Sequence, residues 1–448
     1  MRHRNPSAFL LLIAVAFTGT PASAQLHAAA GAPAPPQATP AAASQSLTLQ
    51  EAEKIALQNH PQVQAATYLA AAAKAQVTEA RSDYYPHAYG SVTGAIAENN
   101  SRVAAGALNN PIIFNRFADG VTVGQLVTDF GRTHELVKSA NLHARAQEEN
   151  VTTSRADILL QVDAAYINAL KAQALLQVAE ETVKDRRLVS DQVTEMEKNK
   201  LKSGLDVSFA NVDLAQAQLL LVQAQNDLQA SYAELSAALG FADQKSYQLA
   251  DQPTPPAPPS DLSPLIAEAM RNRPEIISQQ LDLGSAQSYA TAERDLWFPA
   301  ISAVGTAGLT PYHDAALAPR YAAAGFNVNI PIFNGRQFNA LHAEATAEAN
   351  ARQQFLRDLQ DVVVRDVRKA WLNSMSGYQR LALTQQLLDE ANQALDLAQQ
   401  RYRLGLSSII ELSQAQLNAT QAQISQASAK YDYAAEIAAL NFQVGLLH

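Results

Sequence analysis

The chain reads as a mainly α-helical protein with a small β part, elongated and internally duplicated. Long stretches without Gly or Pro carry helical spacing of apolar residues. Two short stretches, each bracketed by a Pro and a Gly, carry strand alternation instead. The order of these elements then recurs in the second half of the 448 residues, which is the mark of a repeat.

The helical part begins at Leu47. Leu49, Ala52, Ile55, Ala56 and Leu57 share one face, and His60-Pro61 ends this first short helix because the residue before Pro is pushed out of the α region. A second helix, rich in Ala and Gln, runs from Gln62 to Tyr84 and stops at Pro86. From Arg132 to Ser203 there is neither Gly nor Pro, and a helix of that span is on the order of 100 Å long. Gly204 reads as the break, followed by a helix over about Val207–Leu239 that ends at Gly240 in the manner of a C-terminal glycine.

The brackets are Tyr84-Tyr85-Pro86 to Asp129-Phe130-Gly131-Arg132, and Trp297-Phe298-Pro299 to Phe333-Asn334-Gly335-Arg336. In the second, Phe326, Val328, Ile330 and Ile332 alternate with Asn327 and Asn329. The expected strands are 87–97 and 118–128, then 300–309 and 321–332. The first pair alternates less well, diluted by Gly90 and Gly94, and is joined by a polar stretch holding Asn99, Asn100, Ser101, Asn109, Asn110 and Pro111.

Pro61 and Pro86 recur as Pro274 and Pro299, 213 positions on; Gly131, Gly204 and Gly240 are matched to Gly335, Gly405 and Gly445, at 204, 201 and 205. The drift is read as a first strand connection longer by nine residues. The expected layout is a first repeat over 47–250, a linker over 251–264 with six prolines, and a second repeat over 265–448. Four strands cannot close a barrel, and an open sheet leaves unpaired backbone edges. Closure therefore demands more than one chain. The rods have the same need for lateral neighbours, and their Ala-rich and Gln-rich faces suit a ring around a water-filled lumen.

Arg2 and Arg4, the apolar run Phe9 to Phe17 and Ala22-Ser23-Ala24 predict a cleaved export signal over 1–24. An uncharged Ala/Pro-rich linker over 25–46 follows. Removing Arg2 and Arg4 leaves 31 basic against 42 acidic residues, a net −11, which argues against nucleic acid as a partner. The chain has no Cys, so disulfides, thiolate metal sites and a lipid-modified Cys are excluded. No stretch is apolar enough for a spanning helix, so entry into a membrane has to use strands. Tyr84, Tyr85, Trp297 and Phe298 recur at both helix-to-strand junctions, as aromatics do at a bilayer boundary.

At Val328-Asn329-Ile330-Pro331-Ile332-Phe333-Asn334-Gly335-Arg336, at Arg401-Tyr402-Arg403-Leu404-Gly405-Leu406, and in the duplicated order of elements, the chain resembles the TolC-like outer membrane efflux protein family from about Leu47 onward. The resemblance implies a homotrimer in the outer membrane of a Gram-negative bacterium. Four strands per chain would close a twelve-stranded transmembrane β-barrel, and the helices would form a coiled-coil tunnel into the periplasm. It implies long helices over 131–203 and 335–404, with the shorter helices stacked end to end beside them. It implies a periplasmic adaptor protein docking at Gly204, Leu205, Gly405 and Leu406, an inner membrane transporter reached through the adaptor or directly, and contact with outer membrane lipid. Glu411 falls where the family narrows its pore with acids, and Asp213 is a further contributor; Gln414 departs from the acidic pattern. Where some members hold the tip closed with an Arg–Asp pair, this chain has Ser407 and Asn211, while Tyr402 remains, so closure is expected to rest on packing and weaker hydrogen bonds.

Enzyme motifs are absent: no H-E-x-x-H, no phosphate-binding Gly loop and no Cys nucleophile, so no catalytic, cofactor or metal site is expected. His134 and His143, nine residues apart on one rod, read as surface residues. The resulting expectation is the exit duct of a tripartite efflux system. The alternatives are the duct of a type I protein secretion system and an exported coiled-coil scaffold outside any membrane.

Overall fold

The computed structural model describes residues 46–98, 101 and 112–447. The expected signal 1–24, nearly all of the linker 25–46, and Asn99, Asn100, Asn109, Asn110 and Pro111 lie outside the described residues. The elements are α1 (Leu49–Asn59), α2 (Pro61–Ser82), β1 (His87–Ala95), β2 (Arg116–Thr128), α3 (Arg132–Lys198), α4 (Gly204–Ala238), α5 (Ser263–Asn272), α6 (Pro274–Arg294), β3 (Ala300–His313), β4 (Arg320–Asn329), α7 (Gln337–Arg403) and α8 (Ile409–Val444). Both rods, α3 and α7, have 67 residues, about 100 Å at 1.5 Å per residue.

The short helices are capped locally. Thr48 and Glu51 form a reciprocal capping box at α1, and Pro61 and Pro274 occupy the first turns of α2 and α6, where a missing N–H costs nothing. α4 and α8 each end against the start of the shorter helix in their own repeat. A Cβ on Gly240 would lie 3.1 Å from the Asn59 carbonyl carbon, and one on Gly445 3.2 Å from the Arg273 nitrogen. This close approach stacks the short helices end to end beside the rods.

The apolar core is segmented along the length. One cluster joins Ala52, Ala56, Ile158, Val162, Tyr166, Leu235 and Leu239; its counterpart joins Ala269, Ile276, Val363, Val367, Leu440 and Val444. Between them the Pro-rich linker lies along α7 and α8. The Trp371 indole N–H donates to the Pro259 carbonyl at 2.7 Å, and Lys430 donates to Asp251 at 2.8 Å. Tyr166 Oη lies 2.7 and 2.8 Å from the carbonyls of Leu47 and Ala250, pinning the chain entry to the linker.

The four strands form one antiparallel sheet in the order β1-β2-β3-β4. Residues paired across an antiparallel ladder project to the same side, so register assigns the faces. Ala88, Val123, Gly305 and Ala324 make one row, and Gly90, Val121, Ala307 and Ala322 the next. Ala303 with Phe326 and Ile301 with Val328 extend this face, which is apolar except for Asp119, Gln125, Thr128 and Arg320. The other face carries His87, Tyr89, Ser91, Thr122, Thr306, Ser302, Asn327 and Asn329.

Three strands differ from the sequence expectation at their C-terminal ends, and β2 and β4 begin earlier than expected, at Arg116 and Arg320. β1 stops at Ala95, β3 runs on to His313, and β4 stops at Asn329, leaving Ile330 and Ile332 outside the ladder. Pro331 has no N–H to offer a neighbour, which ends β4 early. β1 pairs with β2 without a bulge despite Gly90 and Gly94, because backbone pairing does not require alternation.

Candidate functional site

The end of the rods farthest from the sheet is made of two turns, and each is built in the same sequence of steps. α3 ends at Lys198; Lys200 takes a left-handed conformation (φ 58°), its N–H donates to the Glu197 carbonyl and that of Leu201 to the Met196 carbonyl, both at 2.8 Å. α7 ends at Arg403; Gly405 is left-handed (φ 73°), its N–H donates to Tyr402 at 3.1 Å and that of Leu406 to Arg401 at 2.8 Å. Ser203 then caps α4 and Ser408 caps α8, each accepting from the backbone N–H three residues on, Asp206 and Glu411.

This geometry corrects the sequence register at the tip. Lys200 corresponds to Gly405, Leu201 to Leu406, Ser203 to Ser408 and Asp206 to Glu411, all 205 apart. Gly204 does not terminate α3; it is the first residue of α4. Leu205 corresponds to Ile410 instead, and both are exposed, at 66% and 60%. The spacing of 205 was already legible in Gly240 and Gly445. A lysine in a position that favours glycine hid it at the tip.

Tyr402 lies buried with Val193, Ala210, Ile409 and Leu412, joining the two helical hairpins. Lys202 of the first turn reaches over its ring, 4.0 Å from the centroid. Its hydroxyl has no hydrogen-bond partner; burial, with Asp206 adding, pushes its pKa up. Ser407 Oγ is likewise buried without a partner. Asn211 accepts from Ser190 at 2.8 Å within the first repeat, so Ser407 and Asn211 do not meet as the sequence pairing would have them. At the tip a polar contact between the repeats is instead made by Ser413 Oγ donating to Asp213.

Asp213 also faces Arg186, whose side chain is buried; burial lowers the pKa of that guanidinium, opposed by the charges of Asp213 and Asp185. Arg186 and Asp213, with Phe209, Gln414 and Leu417, line a cavity of about 390 Å³ between α3, α4 and α8. Glu411 is not a free carboxylate: Arg401 Nε lies 3.0 Å from it across the turn. Arg186, Lys202, Arg401 and Ser413 are thus site residues that sequence reasoning missed, because their partners lie on another helix or across a turn.

At the other end of the rods, Tyr84, Tyr85, Trp297 and Phe298 are about half exposed or more, at 47, 67, 41 and 49%. Trp297 meets Phe338 edge-on at 5.5 Å, and Phe298 lies 6.3 Å from Phe130. His134 is exposed. His143, expected at the surface, is partly buried with Nδ1 3.0 Å from Asp282. Among the described residues no helix is long and apolar enough to cross a membrane.

The profile of the outer membrane efflux protein family matches residues 54–241 and 265–446, once in each repeat. The outer membrane efflux protein BepC of Brucella suis is 24% identical over 70% of this chain and 68% of its own. The cation efflux system protein CusC of Escherichia coli is 26% identical over 80% of this chain and 75% of its own. Among solved structures, CusC superposes with a TM-score of 0.77 at 19% identity, covering 89% of this chain and 92% of the other. The Vibrio cholerae outer membrane protein VceC gives 0.75 at 17% identity, covering 89% and 96%. With the fold, the duplication and the profile in agreement, the chain belongs to the outer membrane efflux protein family.

Proposed function

We infer that three copies of this chain form a passive exit duct of a tripartite efflux system, receiving small molecules from an inner membrane transporter through a periplasmic adaptor. The observation that carries the reading is the sheet. It has one apolar face, one polar face and two open edges, β1 and β4. β4 of one protomer supplies the antiparallel partner that β1 of the next lacks, which encloses a polar lumen and turns the apolar rows to lipid. Tyr84, Tyr85, Trp297 and Phe298 then mark the periplasmic boundary of the outer membrane. The repeats over 47–250 and 265–448 become the two unequal staves each chain adds to the tunnel.

At the tip, closure rests on the Tyr402 cluster, on Lys202 over its ring, and on Ser413 with Asp213. Glu411 and Arg401 make a ring of alternating charge, so cation preference is weaker than a bare carboxylate ring gives. Reconstituted channels test this reading. Asp213→Ala raises conductance severalfold while Ser407→Ala changes it little, and Arg401→Ala shifts selectivity toward cations. A large rise with Ser407→Ala alone would show that the lock lies elsewhere. For the duct itself, deletion of the protein raises drug susceptibility with an unchanged profile of secreted proteins; the converse result assigns it to protein secretion.

A further inference from the structure

Two arginines are buried among the described residues, Arg186 at 7% exposure and Arg273 at 8%. Burying a guanidinium is costly unless it is paired and hydrogen-bonded. Arg273 meets that condition, donating to Glu275 at 3.0 and 3.3 Å and to Gln443 at 2.9 Å. Arg186 does not. Among the described residues it makes no hydrogen bond and no ion pair, and the carboxylates of Asp213 and Asp185 act on it only through their charge. Nor does packing require it: 205 residues on, its place in the second repeat is taken by Ala391, which is also buried.

Arg186 lines the cavity of about 390 Å³ between α3, α4 and α8, a volume in the range of small-molecule sites. Of the residues lining it, only Arg186 and Asp213 carry charge, one of each sign. Ser413 engages one oxygen of the Asp213 carboxylate. In the second repeat Asn418 stands in the place of Asp213, so the two charges belong to the first repeat alone. Phe209, Val212, Ile410 and Leu417, all exposed, give the cavity apolar walls. A simple anion drawn to Arg186 meets Asp213, and a simple cation drawn to Asp213 meets Arg186. Water satisfies both charges and leaves the apolar walls wet.

We propose that this cavity binds an amphoteric small molecule of dipeptide size, with its carboxylate at Arg186, its ammonium at Asp213 and its apolar body against Phe209, Ile410 and Leu417. The carboxylate accepts from the guanidinium, and the ammonium donates to the Asp213 oxygen that Ser413 leaves free. The walls come from both repeats, so the occupied site ties the two hairpins together. The consequence that a bound ligand holds the tip shut rests on the reading of the tip as the gated end of the duct.

The test uses the full-length trimer in lipid nanodiscs and three forms of the dipeptide Phe-Leu: the zwitterion, the N-acetyl form and the C-terminal amide. They share one body and differ in charge. The zwitterion binds at least about tenfold more tightly than either singly charged form. Arg186→Gln brings the zwitterion down to the level of the amide, and Asp213→Asn brings it down to that of the N-acetyl form. Trimer migration on a gel verifies assembly of each variant. Leu417→Trp, at the exposed mouth, fills the cavity with both charges in place and abolishes binding. Equal binding of the three forms, binding of none, or a preference for the zwitterion that survives Arg186→Gln overturns the proposal. Conductance separates the two levels of inference. Saturating zwitterion lowers the conductance of the reconstituted wild-type channel and leaves that of Arg186→Gln as it was. If binding is selected by charge and conductance does not move, the site stands and its hold on the tip fails.

Discussion

At the apex of the first hairpin the left-handed position is held by Lys200; 205 residues later, at the apex of the second, it is held by Gly405. The same register pairs Ala172 and Ser231 with Gly377 and Glu436, and Asp163 with Arg368. Backbone geometry has been kept across the two repeats while side chains have diverged at each level of the rod. Apolar pairs such as Val162 with Val367 and Leu235 with Leu440 are buried in both repeats. The apolar seams are thus shared, while the polar side chains at equivalent positions differ between the repeats. A trimer of such chains is therefore a ring of six unequal staves, with threefold symmetry only.

The largest test of that division is Gly377→Ala. A Cβ at Gly377 would overlap the carboxylate of Glu436, which lies against the α7 backbone and is bridged to Arg380. Burial pushes the Glu436 pKa up, opposed by Arg380, and one of its oxygens has no hydrogen bond. Overpacking of this kind costs about 1–3 kcal/mol, and the upper end is expected because a charged group must be displaced. Gly377→Ala with Glu436→Ser installs the side chains of the first repeat, Ala172 and Ser231, and recovers most of the loss. Melting of the trimer measures both. Failure of the double variant to recover would mean that the two helix pairs are not equivalent at this level.

A smaller effect separates the repeats by pH. Asp163 is buried at 4% exposure, and burial, followed by the charge of Glu53, raises its pKa from 3.8 to about 8. The folded chain thus keeps a proton that the unfolded chain releases above 3.8, so this group's contribution to stability falls as pH rises from there through about 8. Arg368, its counterpart, is exposed. Asp163→Asn is expected to leave stability near pH 4 unchanged and to raise it by about 1–2 kcal/mol at pH 8. Wild-type melting that is flat between those pH values would remove the basis for the comparison.

The parts of the fold legible in the sequence are those set by local chemistry. Pro61, Pro274 and the Gly- and Pro-free span of α3 fix helix limits within a few residues, and the two Pro-to-Gly brackets locate the strands. The tip was legible only in part. Gly405 announces a helix end because it alone tolerates the conformation without strain, whereas Lys200 adopts the same conformation with no mark in residue type. Glu411 was readable as an acid near the pore, but its neutralisation by Arg401 depends on a turn that brings residues ten apart within 3.0 Å. Asp213 was named without its partner, because Ser413 comes from a helix 200 residues away.

Lys200→Gly is the smallest of these effects and the most discriminating. Relief of the left-handed strain at a non-glycine residue is worth about 1 kcal/mol, less what glycine loses in unfolded-state entropy. A slight gain in melting temperature is therefore expected. Gly405→Lys runs the exchange in reverse and lowers stability by about 1 kcal/mol, with no steric term, because the space around Gly405 is open. If the apex lysine serves only the turn, the glycine variant is better in every respect. If it serves a partner, Lys200→Gly stabilises the trimer and weakens docking at the tip together, whereas Gly405→Lys lowers stability and leaves docking unchanged. Stability and recognition moving in opposite directions would set the two apices apart as a functional site and a structural turn; movement in the same direction would make them one device written in two residues.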